Sequence, residues 1–397
     1  MPGMTQRILI TGGGIGGLAA ALSCTKNGAH IALFERAAEF TEVGAGVQLG
    51  PNVVKILHDW GLKEALAAVA AFPERLQVRC ALTGDELGVL RLGSTVEARY
   101  GSPYATVHRA DLQALLLAAV QLQPHVRLHL GHEVERFSQT GSGVALHVLG
   151  GHDVEGDLLV GADGGWSRVR QQLLNDGLPR ATGHLAYRAM VPQSTLPARF
   201  RSRQITAWLG PKLHVVQYPV RGGDWLNVVA IVHGHTVGDA DHWDHSANAP
   251  ELRRHLVGTC SPLKDLIHAI DHWRLWGLNI RPPMSGPGEQ ALGRVALLGD
   301  AAHPMLPYLA QGAGMAIEDA SELAAALSQS RLDVPGALKH YANRRWQRNA
   351  QVQAGAIRNG KIFHATGLVR YGRDTALKLL GERLLDMPWL YGGNTRA

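Results

Sequence analysis

Six residues near the start of the chain, Gly12-Gly13-Gly14-Ile15-Gly16-Gly17, constrain the fold more than any other stretch. They hold glycines in the spacing G-x-G-x-x-G at Gly12, Gly14 and Gly17. An apolar run from Arg7 to Thr11 precedes them, and an Ala/Leu-rich run from Ile15 to Asn27 follows and stops at Gly28. The first run reads as a buried parallel strand, the second as a helix with glycine just past its end. His30 to Glu35 is a second strand, and strand, helix and strand in so short a span make a βαβ unit with a parallel sheet. In such a unit Gly12 allows the tight turn, Gly14 lets a phosphate approach the backbone, and Gly17 lets helix and strand pack closely. The helix start faces the pyrophosphate, and Glu35 is positioned to accept hydrogen bonds from ribose hydroxyls. The loop predicts a bound dinucleotide without choosing between NAD and FAD.

At 397 residues, 46% hydrophobic and 18% charged, the chain is long enough for two folded domains. Lys and Arg total 39 against 33 Asp and Glu, a net +6 that suits attraction of small anions. No basic run or aromatic-basic interleaving supports nucleic-acid binding. The cysteines, Cys24, Cys80 and Cys260, are few, odd in number and far apart. They exclude a disulfide scaffold and a redox dithiol, and predict a reducing, cytoplasmic compartment. The apolar stretch Ile8 to Cys24 carries five glycines and belongs to the nucleotide loop rather than to a signal peptide. No other stretch approaches the length of a membrane span, so a soluble protein is expected.

Further along, Arg109 to Ala119 has helical periodicity, while Val126 to Leu130, Val144 to Leu149 and Asp157 to Ala162 read as strands. From about Ala181 short strands alternate with Gly-rich turns: Gln204–Leu209, Leu213–Pro219 and Asn227–Val232. This is the texture of an antiparallel sheet. After Gly286 the α/β texture returns with Arg294 to Leu298, a glycine loop and a long Ala-rich helix. The fold class is therefore α/β, or α+β overall. A Rossmann-like nucleotide domain is assembled from residues 1–75, 101–180 and 285–340. An antiparallel-sheet substrate domain (76–100 and 181–284) is inserted, and a helical segment (341–397) closes the chain. Arg344, Arg345 and Arg348 in that segment read as a solvated helix face.

Two more patches each put an aspartate at the carboxyl end of an apolar strand, where ligands of α/β sheets bind. One runs from Val160 through Asp163-Gly164 to Ser167 and Arg170. The other runs Gly299-Asp300-Ala301-Ala302-His303-Pro304 and continues through Gln311-Gly312-Ala313-Gly314 into a helix. A helix start there favours the negative charge of a reduced flavin, and Asp300 suits a hydroxyl of its sugar chain. With GxGxxG, DGxxSxxR and GDAAHP together, the chain resembles the single-component flavin aromatic hydroxylases, the class of 4-hydroxybenzoate hydroxylase. The resemblance runs from Arg7 to about Ala325. It implies FAD as cofactor, held by Gly12, Gly14, Ile15, Gly17, Glu35, Arg36, Val47, Arg109, Val134, Asp163, Asp300, Gly312, Ala313 and Gly314. Arg109 falls in His108-Arg109-Ala110-Asp111-Leu112, which matches the family's HRxDL segment.

Two segments are similar to a narrower subgroup: salicylate 1-hydroxylase, 3-hydroxybenzoate 6-hydroxylase and 6-hydroxynicotinate 3-monooxygenase. They are Gly44 to Asn52 and Gly210 to Pro219. Within the second, alternation puts His214, Val216 and Tyr218 on one strand face, with His214 and Tyr218 about 13 Å apart. The resemblance implies hydroxylation of a small hydroxylated aromatic acid by a flavin C4a-hydroperoxide, with O2 and with NAD(P)H, NADH favoured, as co-substrates. His214 would take or relay the phenol proton, since an ordinary imidazole titrates near neutrality. Tyr218 would position the substrate, and Gln48, Val216 and Pro307 would line its pocket. Two departures bear on the substrate. Gln48 stands where the 6-hydroxynicotinate enzymes carry histidine, and Pro307 where the 3-hydroxybenzoate enzyme carries a substrate-facing glutamine. A proline cannot donate that hydrogen bond, which tilts the reading toward a salicylate-type, decarboxylating reaction.

No residues show metal-ligand spacing, and His303 beside Asp300 reads as structural, so no metal is expected. Trp208, Trp225, Trp243, Trp273 and Trp276 read as packing residues of the substrate domain. No further nicotinamide Rossmann unit is present, and the family implies a homodimer. A flavoprotein dehydrogenase or oxidase, and a non-catalytic dinucleotide sensor, are the competing readings.

Overall fold

The computed structural model describes residues 6–40, 45–234, 245–247, 249–329 and 331–393. Gly44 of the subgroup segment and Trp243 lie outside them. The chain divides into two compact units, each built from three separate stretches.

The first unit comprises Met1–Val43, Ala110–Arg180 and Ile280–Ala356. Its six-stranded sheet runs Ala291–Leu292, Val295–Leu297, Leu158–Gly161, Arg7–Thr11, His30–Glu35, Val126–Leu130. All neighbours are parallel except the edge pair Ala291–Leu292 and Val295–Leu297. Ile8, Leu9 and Ile10 are completely buried, as a central parallel strand covered on both faces must be. Helix Ile15–Thr25 packs on helix Gly312–Leu327 through small side chains: a Cβ on Gly16 would sit 3.5 Å from that of Ala316. Ser23 donates to the Ala320 carbonyl at 2.9 Å across the same seam. A three-stranded antiparallel sheet, Val134–Gln139, Val144–Val148 and Val154–Gly156, completes the unit.

The second unit comprises Gly44–Arg109, Ala181–Asn279 and Ile357–Ala397. Its eight-stranded sheet runs His245–Ala247, Trp273–Ile280, Arg180–Pro192, Trp225–His233, Leu213–Val220, Ile205–Gly210, Arg75–Cys80, Glu86–Arg91. One face carries the core. Leu213, Val215, Leu226, Val228, Ala230 and Val232 point into it with Trp208 and Trp273, beneath helices Ala249–His255 and Ser261–His268. Alternation leaves His214, Val216 and Tyr218 on the opposite face.

Two features qualify the sequence reading. Residues 44–75 and 101–109 cluster with the eight-stranded sheet rather than with the nucleotide sheet. Strand Gly46–Leu49 pairs with Ala105–His108, and Tyr218 and Asn227 hold Gly46. Of the three arginines on helix Val334–Phe363, Arg344 is exposed as expected, whereas Arg345 and Arg348 are not on a solvated face. Arg345 is fully buried, its Nε donating to Asp319 at 2.7 Å and its Nη1 to Glu318 at 2.8 Å, and Arg348 is nearly buried on Glu318. Carboxylates on helix Gly312–Leu327 drew them inward, and such partners are invisible in a local charge pattern. Among the described residues no helix is long and apolar enough to cross a membrane.

Candidate active site

In the first unit the glycine loop has the form its spacing predicts. Gly12 adopts φ +96°, and a side chain there would strike the Ala162 carbonyl oxygen at 2.3 Å. A Cβ on Gly17 would meet the Gly12 carbonyl oxygen at 1.9 Å. At Gly14 the space is open, with no heavy atom within 4 Å of a Cβ position. Gly14 also begins helix Ile15–Thr25 without a side-chain cap, so the first-turn N–H groups remain available to phosphate oxygens. Glu35 accepts from Gly13 N–H at 2.6 Å and from Ala37 N–H at 2.9 Å. Each of its oxygens keeps a second lone pair for a ribose hydroxyl. Arg36 is exposed beside it, and Ile15 is a core residue.

Asp163 serves its own loop. It accepts from the Ser167 hydroxyl at 2.5 Å and from the N–H groups of Arg168 and Val169 at 2.8 and 3.2 Å. It thereby caps helix Arg168–Leu174, which Ser167 caps in turn by accepting from Arg170 N–H. Burial pushes the Asp163 carboxyl up, while the Ser167 and backbone bonds oppose the shift. Arg170 is buried too, held by Asp176, Glu289 and the Ala302 carbonyl. The motif thus fixes the loop Gly164–Gly165 and leaves little of its own charge for a ligand.

The second aspartate is different. Asp300 is exposed, with Oδ1 3.9 Å from a Cβ position at Gly312. Beneath it the loop is anchored from below: Asp319 accepts from His303 Nε2 at 2.5 Å and from Gly299 N–H at 3.1 Å. Burial alone would raise the Asp319 carboxyl, but His303 and Arg345 outweigh it and hold it well below the usual carboxylate range. His303 therefore partners Asp319 rather than Asp300. Gly312, Ala313 and Gly314 form the first turn of the following helix. Gln311, which precedes them, is buried with its Oε1 lacking a donor. An open glycine cradle, an uncapped helix start, an exposed carboxylate and an orphaned amide oxygen fit FAD. Val134, also expected to touch it, begins the three-stranded sheet half-buried. Val47 and Arg109 belong to the second unit, where Arg109 N–H donates to the Ala45 carbonyl at 2.9 Å.

On the face of the eight-stranded sheet opposite that core, Tyr218 donates to the Gly46 carbonyl at 2.7 Å, and Gly46 N–H donates to Asn227 at 2.7 Å. Any side chain at Gly46 would collide with Tyr218 at 2.6 Å. Gln48 accepts from the Tyr104 hydroxyl at 2.8 Å. Burial drives the Tyr218 phenol far up, so it stays protonated and acts by positioning. Between Tyr218 and His214 lies the half-buried Val216, and register carries its row through Val229 to Arg188. Sequence reasoning missed Arg188. Its guanidinium lies 4.8 Å over the Trp276 ring, and its Nε is buried without an acceptor. Burial lowers its pKa, which marks a cation in want of an anion. Pro307 lies in the first unit, apart from Gln48 and Val216 in sequence and in unit.

His214 is buried, with Nδ1 2.8 Å from His364 Nε2, and His364 Nδ1 is 2.9 Å from His233 Nε2. His184 stacks on His233 with ring centroids 4.5 Å apart. The buried setting of His214 moves its titration away from that of an ordinary imidazole. Burial, with His184 adding to it, lowers its pKa to about 3, and burial lowers His364 to about 2. His214 is a neutral ring at working pH, not one poised at neutrality. The sequence shows no metal spacing, yet the fold gathers histidines from three distant elements.

With this geometry in place, comparison with known proteins is informative. The family described as FAD binding domain matches residues 5–356. The 3-hydroxybenzoate 6-hydroxylase of Polaromonas naphthalenivorans (strain CJ2) is 36% identical over 390 residues, covering 98% of this chain and 96% of that protein. The crystal structure of Klebsiella pneumoniae HpxO complexed with FAD and uric acid superposes with a TM-score of 0.85 at 26% identity, covering 97% and 95% of the two chains. A salicylate hydroxylase substrate complex gives 0.82 at 26%, covering 98% and 96%.

Proposed function

The chain belongs to the FAD binding domain family as an FAD-dependent aromatic-ring monooxygenase, and on that premise we propose that its substrate is a small hydroxylated aromatic carboxylate, with salicylate and 3-hydroxybenzoate the first candidates. Arg188 carries the reading. A half-buried guanidinium with an unanswered Nε, one strand row from Tyr218 and His214, suits a carboxylate on an aromatic ring. Trp276 beneath it holds the guanidinium plane by cation–π contact.

Bound flavin, drawing electrons from NAD(P)H, supplies the activation of O2. The protein's part is to hold the ring and move a proton. Tyr218, already donating to Gly46, offers its oxygen as acceptor to a substrate hydroxyl. His214 takes the phenol proton at Nε2 and releases one from Nδ1 to His364, so the ring carries the proton onward without having to store it. That division suits a ring whose basicity burial has lowered. Gly14 and the helix start it opens hold the pyrophosphate, Glu35 a ribose, and Asp300 a hydroxyl of the flavin's sugar chain, with NADH the preferred donor. By the sequence resemblance alone, a proline at position 307 favours salicylate over 3-hydroxybenzoate, for it cannot donate a hydrogen bond. The free cysteines support a cytoplasmic location, and family membership supports a homodimer.

The experiment is a screen of salicylate, 3-hydroxybenzoate, 3-amino-4-hydroxybenzoate and 6-hydroxynicotinate. Each is scored for faster NADH oxidation, oxygen in the product, CO2 release and peroxide. Catechol with CO2 supports the salicylate assignment, and a dihydroxybenzoate supports ring hydroxylation without decarboxylation. If no carboxylate substrate is oxygenated while an uncharged phenol is, the reading fails.

A further inference from the structure

Next to His214, the described residues bring three further imidazoles together. His184, on strand Arg180–Pro192, stands directly opposite His233, on strand Trp225–His233. His364 follows the end of helix Val334–Phe363. One ring nitrogen from each of the three lies within 4.8 Å of the others. We propose that His184, His233 and His364 form a binding site for one divalent transition-metal ion of the Zn2+ class. This inference does not rest on the hydroxylation reading, although an ion on His364 Nδ1 would leave its Nε2 protonated and unable to accept a proton from His214.

Three arguments carry it. The first is donor type. Three neutral-nitrogen ligands with no carboxylate suit Zn2+, Co2+, Ni2+ or Cu2+ and not Mg2+ or Ca2+, which take oxygen. Two facing strand residues and one from a third element form a tripod, which leaves a fourth position for water.

The second is fit. Ligand nitrogens about 2.0–2.1 Å from zinc in a tetrahedron sit about 3.4 Å from one another. His364 Nδ1 and His233 Nε2 are already 2.9 Å apart, so the ion needs a side-chain adjustment of the order of an ångström and no backbone movement. The backbone is well pinned. Lys212 N–H donates to the His364 carbonyl at 3.1 Å, His233 N–H donates to the Lys212 carbonyl at 3.3 Å, and Arg373 Nη1 holds the carbonyls of Ile362 and Phe363.

The third is the outer ring of contacts. Metal-bound histidines bond their second nitrogen to another group, which fixes the ring. If Nδ1 of His364 takes the ion, its Nε2 already faces His214 Nδ1 at 2.8 Å. His233 is exposed and His184 half-buried, so an ion reaches the site from solvent. The exposed Lys212 ammonium beside them is screened by water and salt.

The test uses the purified flavoprotein, stripped with a chelator, checked for retained flavin and kept free of aromatic substrate. Zn2+ is titrated in competition with a chromophoric chelator, and Co2+ is added separately to read its ligand-field bands. The expected result is one equivalent of Zn2+ per chain, with four-coordinate Co2+ absorption, and affinity lower by about tenfold or more in His233→Ala and in His184→Ala. His125→Ala, in a comparably close pair with His30 (ring centroids 4.7 Å apart), should bind as the parent does. His233 is exposed, so its variant keeps the test decisive if His184→Ala fails to fold. No stoichiometric uptake, or uptake undiminished in His233→Ala, overturns the proposal. Because metal uptake is read without turnover, a failed substrate screen leaves this result standing.

Discussion

His214 Nδ1 lies 2.8 Å from His364 Nε2, a contact between residues 150 positions apart that ties the pocket strand to the chain just beyond the longest helix. In the relay we propose, that bond would set where the proton leaving a substrate phenol goes next. His364→Ala in chelator-treated enzyme should therefore slow hydroxylation by about a hundredfold, near the low end for losing general acid–base help. Flavin reduction by NADH should change little, so peroxide should replace product. Stopped-flow reduction and a peroxide assay separate the two, and normal coupling in this variant would remove His364 from the relay.

Arg188 gives the sharpest test of substrate binding. Removing one partner of a buried charge pair costs about 2–5 kcal/mol, so Arg188→Gln should raise the KM for the aromatic acid about thirtyfold or more. kcat at saturation should fall less, and Arg188→Lys should restore part of the affinity. An unchanged KM would place the carboxylate elsewhere.

The nucleotide loop predicts a contrast between two glycines. Gly14 has room for a side chain and an ordinary extended backbone, so Gly14→Val should fold, but its side chain occupies the phosphate's place. Each hydrogen bond lost to a charged group costs about 1.5–3 kcal/mol, tenfold or more in the Kd for FAD. Gly17→Ala meets the Gly12 carbonyl at 1.9 Å and should lower thermal stability as well as flavin content. Circular dichroism and flavin absorbance on both variants check this; flavin retained by Gly14→Val contradicts it.

Asp319 makes stability depend on pH in a predictable direction. Its folded pKa is depressed, so its contribution is fully present above its unfolded value, about 3.9. The contribution is lost as pH falls from there through the folded value. Asp319→Asn should destabilise by roughly 3–5 kcal/mol at neutral pH, since it leaves Arg345 buried against a weaker partner. The gap in urea midpoint between variant and parent should be the same at pH 7 and pH 5 and narrow only below about pH 4. A gap that widens in acid would contradict this.

The nucleotide half was legible from sequence because its signals are local. Strand Arg7–Thr11, the helix beginning at Ile15 and strand His30–Glu35 lie where glycine spacing and apolar runs put them. Strand Leu213–Val220 was legible for the same reason, and with it the shared face of His214 and Tyr218. Sheet register was not. Arg188 joins the pocket only because it pairs with Val229, which pairs with Val216, and no spacing in the chain encodes two cross-strand steps. His184, His233 and His364 escaped for the same reason, scattered among 20 histidines. Arg345 misled in the other direction, since a charged stretch looks solvated until its carboxylates arrive from another helix. Asp163 illustrates a further limit. The motif that selects the family is spent on capping a helix, so its presence reports the fold more than the chemistry.

The way the chain is divided between its units bears on how such proteins can change over time. Each unit draws on three stretches interleaved with those of the other. No single cut releases either unit whole, and a single crossover with a relative anywhere between residues 44 and 356 would replace part of two cores at once. Recombination is thus a poor route to a new substrate here, whereas point changes at positions such as Gln48, Arg188, Val216 and Pro307 leave both cores intact. A lineage built this way diversifies residue by residue.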